Sequence, residues 1–288
     1  MPIDDHAFRR RVAIRQRIER LRQVPIRVLV PNLVTLLALA TGLTGIRMAI
    51  EGKLELAVYA VVAAIVLDGI DGRLARYLKG TSRFGAELDS LADFMNFGVA
   101  PGLLLYIWGL NALGNAGWIG ALIFAIAAAL RLARFNVSID EPNRPAWAGA
   151  FFTGIPAPAA AMVSLLPIYL TFLGAPHPAG SDVAALVYIL VVAALMVSRL
   201  PTWSLKMGGS RVDRDWVAPV LILTALFVAL LVSFPWLVLT VGSLAYLAAL
   251  PLALRHYRRL AAADEKAAAM THVAPPAAAE EPPPTTGK

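Results

Sequence analysis

Residues 68–93 read DGIDGRLARYLKGTSRFGAELDSLAD and set four aspartates, Asp68, Asp71, Asp89 and Asp93, inside a sequence that is otherwise strongly apolar. On an α-helix, Asp68, Asp71, Gly72, Ala75 and Arg76 fall at i, i+3, i+4, i+7 and i+8 and form one stripe. Gly85, Asp89 and Asp93 follow at i, i+4 and i+8, a second stripe on a second helix. Two carboxylates are therefore expected to face two carboxylates. The apolar runs LAVYAVVAAIVL at 56–67 and FGVAPGLLLYIWGL at 97–110 continue the stripes into membrane-type helices, which puts the acids at membrane depth.

An ionised side chain near the bilayer centre costs about 2.5 to 3.5 kcal/mol on insertion scales, so four uncompensated acids would cost on the order of 10 kcal/mol. Positive charge must sit among them. The chain has no cysteine, and no histidine lies near this stretch, so hard oxygen donors point to Mg2+ or Mn2+. Four carboxylates suit two ions better than one. The alternative is a salt-bridged helix pair in which Arg73, Arg76, Lys79 and Arg83 neutralise the acids. That alternative gives no reason for Gly72 and Gly85, because glycine inside a helix costs about 1 kcal/mol relative to alanine. Positions without a side chain beside the acids let a bulky ligand approach the backbone.

The whole chain has the composition of a polytopic membrane protein: 58% of its 288 residues are hydrophobic and its mean hydropathy is +0.67. Apolar stretches long enough to span occur near 29–50, 54–77, 84–110, 116–138, 155–174, 183–200, 216–233 and 236–254. The expected fold is an all-α, polytopic transmembrane bundle of about eight helices occupying residues 28–260. Ser233, Phe234 and Pro235 leave so little loop that the last two spans read as a tight hairpin. Residues 1–27 carry eight arginines and read as a basic cytoplasmic segment, either an amphipathic helix on an anionic leaflet or a solvated tail. Residues 261–288 are Ala- and Pro-rich and read as a disordered tail.

A net charge of +7 raises the question of nucleic acid, but the basic residues lie between apolar spans. Anionic lipid headgroups are the simpler partner, and no nucleic acid is expected. The absence of cysteine excludes disulfides, thiolate catalysis and zinc–thiolate sites. Lys79, Arg83, Arg144, Arg199, Lys206, Arg211 and Arg214 fall on one side of the eight spans, and only Arg47 and Lys53 on the other. The positive-inside rule then turns the aspartate loop, and both termini, to the cytoplasm of a bacterial-type inner membrane.

Two further constellations stand out. Pro31 opens the first span as a helix start, but Asn32 and Thr35 share a face inside it and need another reason. Arg131 and Arg134 share a face near the end of the fourth span, with Asn136 close behind. They read either as snorkelling anchors or as a site for a phosphate or carboxylate, which guanidinium groups bind with paired hydrogen bonds. The four histidines are scattered without ligand spacing.

The pattern D-x2-D-G-x2-A-R-x8-G-x3-D-x3-D, from Asp68 to Asp93, resembles the signature of the CDP-alcohol phosphatidyltransferase family at all eight fixed positions. The resemblance implies a di-metal site on Asp68, Asp71, Asp89 and Asp93 that transfers a phosphatidyl group from a CDP-linked lipid to an alcohol. It further implies that Asp93 is the base, that Gly72, Ala75 and Gly85 admit the CDP moiety, that Arg76 pairs with its phosphate, and that Asn32 and Thr35 lie on the nucleotide side. The runs DSLADFMNFGVAP, RLARFN, FFTGIPAPAAA and VSRLPTWSLK are similar to the membrane-integral phosphatidylserine synthase branch, although Asn96 stands where serine is commoner. That branch implies CDP-diacylglycerol and L-serine as substrates, with Arg131, Arg134 and Asn136 on the acceptor or phosphate, and a homodimer. Glycerol phosphate or inositol phosphate as acceptor is the alternative within the family. A cation- or proton-coupled transporter is the alternative outside it, and it leaves the fixed glycine, alanine and arginine positions without a role.

Overall fold

The first apolar run folds as α1, Ile26–Ile50, in a computed structural model that describes residues 26–138, 151–176, 178, 180–203 and 214–273. Its buried face is Pro31, Thr35, Ala38, Gly42, Gly45 and Ala49. All are small, and they recur every three or four residues, while Leu29, Leu33, Leu36 and Leu37 are exposed. That is the reverse of a helix in water. Lipid tails solvate leucine well, so membrane helices associate through close backbone packing at small residues. The partner is α2, Leu54–Tyr77, which buries Ala57, Val58, Val61 and Ala64. A Cβ at Gly45 would lie 3.0 Å from the Ala60 Cβ and 3.1 Å from the Ala57 carbonyl.

The C-termini of the two helices of this hairpin end in the same device. At one end Gly52 takes φ 78°, with bonds from Gly52 N to Ala49 O (3.0 Å) and from Lys53 N to Met48 O (2.9 Å). Arg47 and Lys53 each reach Glu51 at 2.8 Å, and these hydrogen bonds, Lys53 first, hold the Glu51 carboxyl below its usual range. At the other end Lys79, not a glycine, takes the left-handed position at φ 50°, with Lys79 N bonding Arg76 O (3.2 Å) and Gly80 N bonding Ala75 O (3.0 Å). The glycine is displaced to position 80 because a Cβ there would run into the Arg27 carbonyl of α1.

Ser82 then caps α3, Arg83–Asp93, by accepting a hydrogen bond from Gly85 N at 3.0 Å. This helix passes through a π-helical segment, Phe94–Val99, into α4, Ala100–Trp108. Ala100 N bonds Met95 O, and Pro101, which follows, has no N–H to restore the α-helical ladder. The π segment buries Asn96, Phe97 and Gly98. Phe97 packs with Leu132, Ala157 and Ala161. Leu132 belongs to α5, Asn115–Ser138.

The span expected at 155–174 is corrected to two pieces, α6 (Ala157–Ser164) and α7 (Leu166–Phe172). Pro167 offers no N–H to the Val163 carbonyl, and the Tyr188 hydroxyl donates to that carbonyl instead at 2.7 Å. After α8, Ser181–Val197, come α9, Arg214–Ser233, and α10, Pro235–Val273. Only Phe234 separates the last two, the hairpin expected from Ser233–Pro235. A two-stranded antiparallel sheet joins β1, Phe151–Thr153, to β2, Pro201–Trp203, with Phe152 opposite Thr202.

Counting Arg83–Trp108 and Ala157–Phe172 as single rods, the described residues form eight helical rods, an all-α membrane bundle as expected. Five are long and apolar enough to cross a membrane: Ile26–Ile50, Arg83–Trp108, Asn115–Ser138, Trp216–Ser233 and Pro235–Asp264. Rod α2 has the length, 24 residues, but carries the charges of the aspartate stripe. The α6–α7 rod and α8 are no longer than 17 residues, against the eight full spans expected. The described side chains of α9 from Trp216 to Leu230 are all exposed, a surface suited to lipid. The chain is an integral membrane protein.

Disorder was expected from residue 261, and this is corrected as far as Val273, because α10 runs on through AAADEKAAAMTHV. That run has no proline or glycine and is rich in alanine, the best helix former. The readings for residues 1–25, for Arg144, Lys206 and Arg211, and for 274–288 lie outside the described residues.

Candidate active site

Helix α1 packs against both α2 and α3 and so holds the two aspartate stripes across a common space. Asp68 and Asp71 of α2 and Asp89 of α3 each bring one carboxylate oxygen to within 4.8 Å of the others. Asp93 is not in that set of three. It lies within hydrogen-bonding reach of Asp68 and in the field of Arg131, so the fourth acid faces the α5 side of the cluster. Asp71 is 3% exposed, and among the described residues neither of its carboxylate oxygens has a partner at hydrogen-bonding geometry; the same holds for the buried Asp93 Oδ1. The ion pairs among the described residues are both at Glu51. Arg73, Arg76, Lys79 and Arg83 therefore form no salt bridge to the acids there, which removes the support for a purely ion-paired helix pair.

Buried anionic oxygens without a proton donor or a cation are costly in a low-dielectric interior. Three carboxylates at this spacing fit a hard divalent cation by donor type and by mutual reach.

A cavity of about 190 Å3 opens beside the cluster. Asp71, Gly72, Ala75 and Arg76 line it from α2, Gly85 and Asp89 from α3, and Asn32 and Thr35 from α1. The eight lining positions singled out in the sequence thus come together. Gly72 is open to this space: the one atom near a Cβ there would be Arg76 Nη1, at 3.9 Å. Gly85 is different. A Cβ there would meet Asn32 Oδ1 at 2.7 Å and Ser82 Oγ at 3.1 Å, so at the cavity wall this glycine also admits the close approach of α1. Thr35 is buried and its hydroxyl donates to Pro31 O at 3.2 Å. Thr81 and Ser82 also line the cavity. Sequence reasoning passed them over as loop residues, and their hydroxyls in the linker between two acidic stripes were the available signal.

The acceptor candidates separate. Arg131 is 8% exposed, with Cζ 5.3 Å from the Phe135 ring centroid, and it is the one whose charge lies near Asp93. Arg134 turns away, a correction to the paired reading. Its Nη1 donates to Val197 O at 2.6 Å, where the last carbonyls of α8 lack intrahelical partners and draw a cation. Asn136 Nδ2 donates to Ser90 Oγ at 3.0 Å, which ties the end of α5 to α3 one residue from Asp89.

The family model described as CDP-alcohol phosphatidyltransferase matches residues 28–200, and one described as CDP-alcohol phosphatidyltransferase 2 matches 215–251. A Mycobacterium leprae protein named CDP-diacylglycerol–serine O-phosphatidyltransferase is 39% identical over 246 residues, 84% of this chain and 79% of the relative. A Helicobacter pylori protein of the same name is 38% identical over 186 residues, covering 62% of this chain and 76% of its own. An archaetidylserine synthase from Methanothermobacter thermautotrophicus is 33% identical over 178 residues, 60% and 69% of the two chains. With its aspartate stripes converging beside a glycine-floored cavity and a family match over residues 28–200, the chain belongs to the CDP-alcohol phosphatidyltransferase family.

Proposed function

We propose that this protein transfers the phosphatidyl group of CDP-diacylglycerol to L-serine, giving phosphatidylserine and CMP. The observation that carries the reading is the convergence of Asp68, Asp71 and Asp89 within 4.8 Å, with Asp71 and Asp89 in the wall of a cavity that Gly72 and Ala75 also line. The serine acceptor is supported by the relatives' names, each of which refers to serine.

The serine hydroxyl oxygen forms a bond to the phosphorus that carries diacylglycerol. The pyrophosphate P–O bond breaks, and CMP leaves with the bridging oxygen. Asp93 accepts the hydroxyl proton, since an alcohol is a weak nucleophile until deprotonated. Arg76 pairs with a phosphate of the CDP moiety, Gly72 leaves the backbone of α2 open to it, and Asn32 and Thr35 flank the nucleotide. Two Mg2+ or Mn2+ ions held by Asp68, Asp71, Asp89 and Asp93 would supply positive charge to the pyrophosphate and to the departing CMP.

In this reading residues 28–260 form the catalytic unit, a homodimer in the cytoplasmic membrane with its site open to the cytoplasm. The test is CMP release from CDP-diacylglycerol by the purified protein across a panel of alcohols. Serine is expected to be the best acceptor. Preference for glycerol 3-phosphate or inositol phosphate would move the protein to another branch of its family.

A further inference from the structure

Tyr246, on the last helix, takes no part in the reading above, yet its hydroxyl oxygen is buried and meets no partner at hydrogen-bonding geometry among the described residues. It stands beside Thr202 and in the field of Arg131. Thr202 is 1% exposed and held by two constraints: β2 pairs it with Phe152, and its hydroxyl donates to Gly154 O at 2.8 Å. Its own proton is thus committed. Arg131, on the other side, forms no hydrogen bond or ion pair among the described residues, and its ring partner Phe135 covers only a face of the guanidinium. Three elements distant in sequence, α5, β2 and α10, therefore bring a phenol and a guanidinium, both without a geometric hydrogen bond among the described residues, to the side of the cluster where Asp93 lies.

A buried hydroxyl without a partner is unfavourable, and phenylalanine at 246 would remove the cost while keeping the ring. What the hydroxyl and the guanidinium have in common is donation. Together they suit a ligand with two acceptor oxygens and a negative charge. The nucleotide cavity is lined by Asp71 and Asp89 but not by Asp93, so the donors and the nucleotide cavity approach the acids from different directions.

We propose that Tyr246 and Arg131 form the clamp for the acceptor's carboxylate, with Tyr246 Oη donating to one oxygen and the guanidinium to the other. The inference rests on the serine reading above and adds a residue from α10 to the site. A carboxylate held there presents its own hydroxyl toward Asp93, and an amino alcohol without a carboxylate gains nothing from the clamp.

The experiment measures CMP release by the full-length protein and its Tyr246→Phe variant in detergent, varying serine, ethanolamine and CDP-diacylglycerol in turn. The expected result is a serine KM raised about tenfold, the loss of one charge-assisted hydrogen bond. The CDP-diacylglycerol KM and the ethanolamine-dependent rate stay at the parent values, and the Tm does not fall. A structural role leaves the serine KM unmoved. An unchanged serine KM in a serine-dependent parent overturns the clamp alone, and so does an equal loss with ethanolamine. A parent that uses another alcohol and not serine overturns the functional reading, and the clamp with it.

Discussion

Asn32 presses its side chain onto the backbone of Gly85, where a Cβ would stand 2.7 Å from Asn32 Oδ1. The contact joins α1 to α3 at the edge of the cavity that both line. For Gly85→Ala, helix propensity favours the variant by up to about 1 kcal/mol, while the methyl group displaces Asn32 and crowds the Ser82 cap. The two effects act on different observables. Stability is expected to change little, and the CDP-diacylglycerol KM to rise on the order of fivefold, a lost neutral hydrogen bond. An unchanged KM would remove Asn32 from the nucleotide side.

Gly69 and Gly72 make a matched pair on α2. A Cβ at Gly69 has nothing within 4 Å, and one at Gly72 has only Arg76 Nη1 at 3.9 Å, so alanine fits the fold at either position and gains about 1 kcal/mol of helix propensity. Gly72 alone lines the cavity. Both alanine variants are expected to raise Tm, and only Gly72→Ala to raise the CDP-diacylglycerol KM. Equal activity in the two would mean that the ligand does not approach α2 at Gly72.

The orphaned oxygens of Asp71 allow cation binding to be tested without turnover. A cation that binds only the folded protein stabilises it by RT ln(1 + [M]/Kd), about 2.7 kcal/mol at a hundredfold excess over Kd. Parent protein is expected to gain Tm with Mg2+ or Mn2+ and to lose it with chelator. Asp71→Asn should be at least as stable as the parent in chelator, because it removes one of several crowded acids, and should gain little from either ion. A parent Tm indifferent to both ions and to chelator would count against a metal centre.

How much of this was legible varies with the range of the forces involved. The aspartate stripes follow from helical period alone, and the α9–α10 hairpin from Phe234 and Pro235. The β1–β2 pair did not, since Phe151–Thr153 and Pro201–Trp203 are too short to alternate and Phe152 meets Thr202 only through the tertiary fold. Arg131 and Arg134 share a helical face, and spacing cannot tell that the α8 carbonyls capture one of them. Tyr246 was overlooked because one tyrosine in an apolar helix has no periodic signal. The helix through 261–273 was missed by averaging its alanines with the prolines that follow.

Arg134 now has a prediction of the opposite kind from a binding residue. Its bond to Val197 O at 2.6 Å caps α8 from α5, a contact to a neutral acceptor by a charged donor. Arg134→Ala is expected to cost about 1 to 2 kcal/mol of stability and to leave the serine KM near that of the parent. Arg131→Ala is expected to do the reverse, raising the serine KM by about tenfold or more. The check is one titration series with both variants. A serine KM that rises in Arg134→Ala without loss of Tm would return Arg134 to the acceptor.

The hairpin of α1 and α2 also sets which side of the membrane the site opens to. Helix α1 has 25 residues, about 37 Å at 1.5 Å per residue, longer than the roughly 30 Å hydrocarbon core, so its two ends reach opposite faces. Near one end are Lys79, Gly80 and Arg83, with Gly80 against the Arg27 carbonyl; at the other, Arg47 and Lys53 are both engaged by Glu51. Basic residues flanking short loops are retained in the cytoplasm, which favours the Lys79 end. Because the chain has no cysteine, a single introduced one reports without background. Thr81→Cys, at an exposed loop position, is expected to react with an impermeant maleimide only in inverted vesicles. Lys53→Cys removes one surface ion pair of small worth and is expected to react only in right-side-out cells. Labelling of Thr81→Cys from outside would turn the aspartate site away from the cytoplasm, where a soluble acceptor and departing CMP could no longer exchange with the cytoplasmic pool.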